Sequence, residues 1–357
     1  MTQLHGSRNW RNAKLQDLVY LQRGFDITQA QQSAGSVPVI SSSGVTSYHC
    51  EAKVAGPGVV VGRKGTLGSV HYSEVDYWPH DTTLWSKDLR GNDPRFVYFY
   101  LQTIDFKRFD VGNSNPTLNR NHIHDLPTLI PPAETQSHIA NILSAYDDLI
   151  ENNRRRMALL EDAARHLYRE WFVRLRFPGH EHTRVTNGVP EAWQRQTLGE
   201  YATLQYGKAL KSEDRAEGPV TVYGSSGIIG LHDKALVIAP GIVVGRKGNV
   251  GSVFWSANDF WPIDTVFFID SERSNLWLYY ALKHMHFMST DVAVPGLNRD
   301  FAYSRLLVVP ARRIFREFLD AVEPMHEQIT KLGALNEKLR AARDLLLPRL
   351  MSGEIAV

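Results

Sequence analysis

Cysteine is nearly absent: Cys50 is the only one in 357 residues, so no disulfide can close within the chain. A thiolate zinc site would likewise lack its usual partners. Charge of one sign is also missing. Forty Lys and Arg stand against 38 Asp and Glu, a formal net charge of +2, and the isoelectric point is near 8.5. An isolated nucleic-acid-binding domain is expected above about 9, so any contact with a polyanion must rest on local patches or on partners. Long apolar runs are lacking as well. Nothing approaches the roughly 18 residues of a membrane span, and "MTQLHGSRNW" has neither the basic start nor the apolar core of a leader. The expectation is a cytoplasmic chain that does not touch membranes.

What is present is a repeat. Shifted by 183 residues, the sequence aligns Trp10 with Trp193, Leu15 with Leu198, Gly24 with Gly207, and Ser42-Ser43 with Ser225-Ser226. From residue 60 to 82, 15 of 23 positions are then identical without a gap, so this is duplication and not chance likeness. Beyond it the offset becomes 179, aligning Leu118-Asn119-Arg120 with Leu297-Asn298-Arg299 and Pro131 with Pro310. Such a period is too long for a solenoid and predicts two copies of one domain. With 43% hydrophobic residues, each copy can bury its own core. Within each copy, "GVVVGRKGTLGSVHYS" reads as two β-branched runs around a glycine-rich turn. The aromatic-rich "DPRFVYFYLQTIDFKRF" and "SNLWLYYALKHMHFM" have helical spacing. The fold class is α+β.

Each copy ends in a tail of another kind. Ile139, Leu143, Tyr146, Ile150, Asn153, Met157, Leu160, Ala164, Leu167 and Trp171 alternate in steps of four and three, the seam of a coiled coil. Phe318 to Leu350 keeps the same phase through Asn336 and Arg343. In the simplest antiparallel register Ile139 meets Leu350, Asn153 meets Asn336, and Arg343 lies beside the Tyr146 ring. A buried asparagine pair would penalise slipped registers. The expected division is a first head over 1–130, a helical spacer over 131–178, a second head over 179–310 and a second spacer over 311–357. From Ile139 to Trp171 a helix spans roughly 48 Å at about 1.5 Å per residue. Two like heads held more than about 34 Å apart suit the reading of two half-sites.

On these features the chain resembles the specificity subunits of type I restriction-modification enzymes. The resemblance runs from end to end. Its strongest marks are "LYREWFVRLRFPGHE", "LNEKLRAARDLLLPRLMSGEI", the turns "GRKGTLGS" and "GRKGNVGS", and "LIPPAETQSHIANIL" at the start of the first helix. One mark departs from the family. Its usual Glu-Gln is split here by Thr135, between Glu134 and Gln136, and the second copy reads "ARRIFREFL". The resemblance implies two target-recognition domains, each reading half of a split, asymmetric double-stranded DNA site. The paired helices would act as ruler and docking surface for two methylation subunits carrying S-adenosylmethionine, with ATP and Mg2+ on a restriction subunit. The chain itself would carry no cofactor and no catalytic residue. A free-standing bipartite DNA-binding regulator is the alternative.

The residues agree. Asn115 and Pro116 in "NSNPTLNR" do not make the Asn-Pro-Pro-Tyr loop of an adenine methyltransferase. Gly58, Gly62, Lys64 and Thr66 miss the phosphate-loop spacing. Of the nuclease candidates Asp81, Glu51 and Lys53, only Asp81 is repeated, as Asp264. "GHEH" at 179–182 has no copy and reads as a linker. The leading DNA contacts are Arg63, Lys64, Arg246 and Lys247, on what the pattern predicts to be a hairpin tip. Because they are identical in heads that should read different sequences, they are assigned to phosphates, which position a protein without specifying sequence. Base reading should lie where the heads differ, at about 25–40 against 208–223 and 86–115 against 269–294. Those stretches hold Lys107, Arg108 and Asn113, and Lys208, Lys211, Lys283 and His286. The repeated pairs Asn119-Arg120 and Asn298-Arg299 touch the DNA backbone or hold a turn.

Overall fold

The structure is a computed structural model that describes residues 9–109, 117–285, 287 and 296–357. It divides into two compact units, Met1–Asn152 with Leu335–Val357, and Asn153–Ala334.

In the first unit the strand Arg11–Lys14 pairs antiparallel with Pro127–Ile130, joining the beginning of the head to its end. Between them lies a four-stranded antiparallel sheet in the order Tyr20–Arg23, Thr83–Asp88, Gly58–Gly62, Val70–Ser73. A second sheet orders Gly44–His49, Val37–Ser41 and Trp78–Pro79, the last pair being parallel. The valine run Gly58–Gly62 is buried throughout, as suits an inner strand covered on both faces. The helix Pro94–Gln102 starts where Pro94 presets the first turn and the Asp93 carboxylate accepts from the Arg95 and Phe96 N–H groups. It buries Phe96, Val97, Phe99 and Leu101.

The second unit repeats this plan. Gln194–Thr197 pairs with Leu306–Val309. One sheet orders Gln205–Tyr206, Val266–Ile269, Gly241–Gly245 and Val253–Ser256, the other Gly227–His232, Val220–Gly224 and Phe260–Pro262. The helix Leu276–His284 is capped by Asn275, whose side chain accepts from the Leu278 N–H. In both units, therefore, the glycine-rich sequence connects two antiparallel strands and the aromatic segment is a helix, as the pattern predicts.

Two long helices run Ala133–Tyr168 and Arg312–Met351, each beginning just after the prolines that end a strand. They pair antiparallel inside each unit. In the first, Asp147 forms an ion pair with Arg343, and the Asn336 amide donates to the Ile150 carbonyl at 3.3 Å. In the second, Glu161 faces His326 at 3.9 Å and the Tyr168 ring meets Phe318 at 6.1 Å. Arg343 forms ion pairs with Asp147 and Asp344, carboxylates that the seam spacing does not single out.

The helices are less separate from the heads than the seam alone implies. Ile139, Ala140, Leu143, Leu347, Leu350 and Met351 share one core with Leu15, Val59, Phe96 and Phe99. Ala164, Tyr168, Phe318 and Val322 share another with Ile242, Trp277 and Tyr280. A π-helical turn over Arg169–Val173 widens the backbone there. The neighbouring Trp171 and Phe172 rings both reach Phe318, at 6.0 and 4.9 Å.

Gln136 explains the departing mark at the helix start. It is buried, accepts from the Asp93 N–H at 2.9 Å, and donates to Asn92 Oδ1 at 2.8 Å and to the Pro131 carbonyl at 2.9 Å. One side chain thus fastens the long helix to the N-terminus of the head's helix. Its counterpart in the second unit is Phe315, whose ring packs on Trp277 at 5.9 Å.

Candidate nucleic-acid interface

The Arg63 and Lys64 N–H groups both donate to the Thr82 carbonyl, at 2.8 and 3.0 Å, while the Arg63 carbonyl accepts from Leu118 at 2.9 Å. The second head repeats this: Arg246 and Lys247 donate to Thr265 at 2.9 and 3.0 Å, and Leu297 donates to Arg246 at 2.8 Å. The pair therefore lies in the turn of the expected hairpin, but main-chain bonds make it the middle of three joined segments. Main-chain hydrogen bonding to both flanks holds it down.

The glycines belong to the turn. Gly65 and Gly68 have φ of 74° and 75°, and Gly248 and Gly251 of 77° and 76°, in the left-handed region that L side chains disfavour. A Cβ on Gly62 would stand 2.2 Å from the Thr66 carbonyl oxygen, and one on Gly245 as close to that of Asn249. The likeness to a phosphate loop is thus accounted for by backbone geometry.

The arginine side chains go elsewhere. In the first head Arg63, Asn119 and Arg120, all predicted contacts, line one open groove of about 900 Å³ together with Arg23, Lys87 and Tyr20. Arg63 is half-buried, and its Nη1 has no hydrogen-bond partner among the described residues. Burial first, and then the charge of Arg23, pull its guanidinium below its ordinary range, against the opposing pull of Asp81. A cation so placed gains from an anion that supplies the missing acceptor.

In the second head the same two arginines close on a ring. Arg246 and Arg299 lie 5.3 and 5.2 Å from the centre of Tyr206. Arg246 is also 5.8 Å from Phe267 and donates to the Asp264 main-chain oxygen at 3.0 Å. Tyr206 pairs with Phe267 as Arg23 pairs with Leu84, so Arg23 and Tyr206 occupy one position of the repeated sheet.

Asn119 and Asn298 cap short helices, accepting from Asn121 at 3.0 Å and from Asp300 at 2.8 Å. Lys107 and Arg108 are exposed on the turn Phe106–Phe109, where Phe106 covers Gly68. Arg108 lies over Phe109. Lys208 is exposed, and Lys211 faces Glu213 at 3.7 Å. Lys283 instead pairs with Glu161 at 2.8 Å, against the long helix. Asn113 and His286 lie outside the described residues, as do Asn115 and Pro116. Sequence reasoning missed Arg23 and Lys87. The available signal for Arg23 was its unlike alignment with Tyr206 between the identical pairs Gln22/Gln205 and Gly24/Gly207; Lys87, aligned with Asp270, lies at the start of the stretch where the heads differ.

Asp26, His80 and Asp81 bring three ligand atoms within 4.8 Å of one another. Arg23 already pairs with Asp81 at 2.9 Å, which sets a cation in that space. Asp264, the copy of Asp81, is exposed. In "GHEH", His180 Nδ1 meets the Phe177 carbonyl at 2.9 Å. No helix among the described residues is long and apolar enough to cross a membrane.

Residues 7–162 match the family model described as "Type I restriction modification DNA specificity domain". The chain is 23% identical over 301 residues to the type I restriction enzyme MjaIX specificity subunit of Methanocaldococcus jannaschii, covering 73% of this chain and 69% of that one. It is 20% identical over 336 residues to a putative type I specificity subunit of Mycoplasma pneumoniae, covering 88% and 89%. Among solved structures, the S subunit of a type I restriction-modification system from M. genitalium shares the fold. Its TM-score is 0.63, at 18% identity, over 98% of both chains.

Proposed function

We propose that the chain is a specificity subunit of a type I restriction-modification system, and that its two heads divide the work of recognition. In this reading it is the DNA-recognition component, a non-catalytic subunit that assembles with other subunits of the system, which the matches to a DNA specificity domain and to a specificity subunit support. We assign one half of a split double-stranded DNA site to the head within 1–130 and the other half to the head within 179–310. Arg63 and Arg120, and in the second head Arg246 and Arg299, hold backbone phosphates, with Lys64 and Lys247 adding charge beside them. Lys107, Arg108, Lys208 and Lys211 lie in stretches where the heads differ and face the bases or their flanks. The helical stretches 131–178 and 311–357 dock two methylation subunits that bring S-adenosylmethionine. A restriction subunit brings ATP and Mg2+, and the assembly works in the cytoplasm.

The carrying observation is the repeated arginine pair: the same two guanidinium groups, on the same two segments, in heads whose surrounding side chains differ. Co-purifying the chain with a methylation subunit, and presenting the complex with duplexes of varied half-sites and spacers, tests the reading. Sequence-selective binding that requires both half-sites is expected. Equal binding to all duplexes would refute it.

A further inference from the structure

A carboxylate repeated in both heads holds an arginine in only one of them. In the first head Asp81 Oδ2 accepts from Arg23 Nη2 at 2.9 Å; the Arg23 side chain is 56% exposed and the Asp81 side chain 19%. The acid is thus largely enclosed and fixed, while the guanidinium it orients stands in the open groove beside Arg63 and Arg120. His80 Nδ1 flanks the other carboxylate oxygen at 3.2 Å and completes the mount. In the second head Asp264 is present, but the position of Arg23 is Tyr206 and that of Lys87 is Asp270. Asp264 is exposed there, and its side chain forms no ion pair among the described residues. Hence the phosphate-type arginines are common to both heads, whereas the mounted arginine is private to one.

We propose that Arg23 is a specificity-determining residue of the first head, contacting a guanine edge in its half-site, and that Asp81 is its positioning residue. The inference rests on the functional reading above and deepens it. A guanidinium held along one edge can present the other to guanine O6 and N7, the commonest specific pairing in the major groove. A fixed mount also lowers the ordering cost of a long side chain on binding. An arginine whose task was neutralising phosphate would need no private acid, which subtracts from its charge.

The test uses the complex with methylation subunits and a duplex pool randomised across both half-sites, sequencing the bound fraction. The wild-type complex is expected to require guanine at one position of the first half-site. Arg23→Ala should weaken that preference by about fivefold to a hundredfold, leaving the other positions and the whole second half-site unchanged. Arg23→Lys keeps the charge but not the fork, so it should lose the same preference while retaining most of the overall affinity, which separates the effect from misfolding. Asp81→Asn should relax the same position, whereas Asp264→Asn should change nothing in the second half-site. Retained selectivity in Arg23→Ala, or a parallel loss over all sequences, would overturn the inference and leave the functional reading standing. A wild-type complex that selects no sequence would overturn both.

Discussion

Arg63 shows how two uses of one side chain are told apart. Its backbone is fixed by Thr82 and Leu118, its neighbours Gly62, Gly65 and Gly68 serve the turn, and its guanidinium is half-buried with an unmatched donor. Folding explains the glycines but not the unmatched cation. Arg63→Ala and Arg246→Ala should therefore weaken binding to every sequence in parallel. Each should also reduce the slope of log affinity against log salt by about 1. Titration at several salt concentrations checks this, and a loss confined to one base position would contradict it. Arg23 is expected to behave in the opposite way, so the two variants bracket the division between holding the backbone and reading the bases.

At the scale of elements, the two units solve the same joints with different chemistry. Gln136 ties the first long helix to Asn92 and Asp93, where the second unit uses Phe315 against Trp277. Gln136→Ala leaves buried partners unsatisfied and should destabilise the first unit by about 1–3 kcal/mol, readable by denaturant unfolding. A second joint is sensitive to pH. His124 Nε2 accepts from the Leu21 N–H at 3.1 Å, and at the matching place the Tyr303 hydroxyl accepts from Leu204 at 3.0 Å. Burial first, then Arg120, hold the His124 ring below its ordinary range, with Asp125 opposing. The folded state thus binds this proton less tightly than the unfolded chain. Its stabilising contribution is complete above the unfolded pKa of about 6.5 and is lost as pH falls through that value toward the folded one. Melting followed between pH 8 and 5 should show this loss in the first unit and its removal in His124→Tyr.

Much of this is legible in the sequence. The 183-residue offset exposed the duplicated heads, and the four-three spacing from Ile139 exposed the helices, because both signals are local or self-similar along the chain. What escaped notice depends on residues far apart in sequence: Arg23 with Asp81, Gln136 with Asn92, His124 with Leu21. None of these pairs shares a periodicity. Arg343 likewise pairs with Asp147, an ion pair that seam spacing does not encode.

At the scale of the whole molecule, the proposal makes the heads independent readers and the helices their spacer. Inserting one heptad into each long helix adds about 10 Å at about 1.5 Å per residue, or about three base pairs at about 3.4 Å each. The spacer of the recognised site should lengthen accordingly with both half-sites unchanged. The most direct measurement of the central claim replaces residues 1–130 with the head of another specificity subunit and maps methylated adenines in the host genome before and after. One half-site should change completely while the other keeps its sequence. A change in both halves, or in neither, would contradict the account.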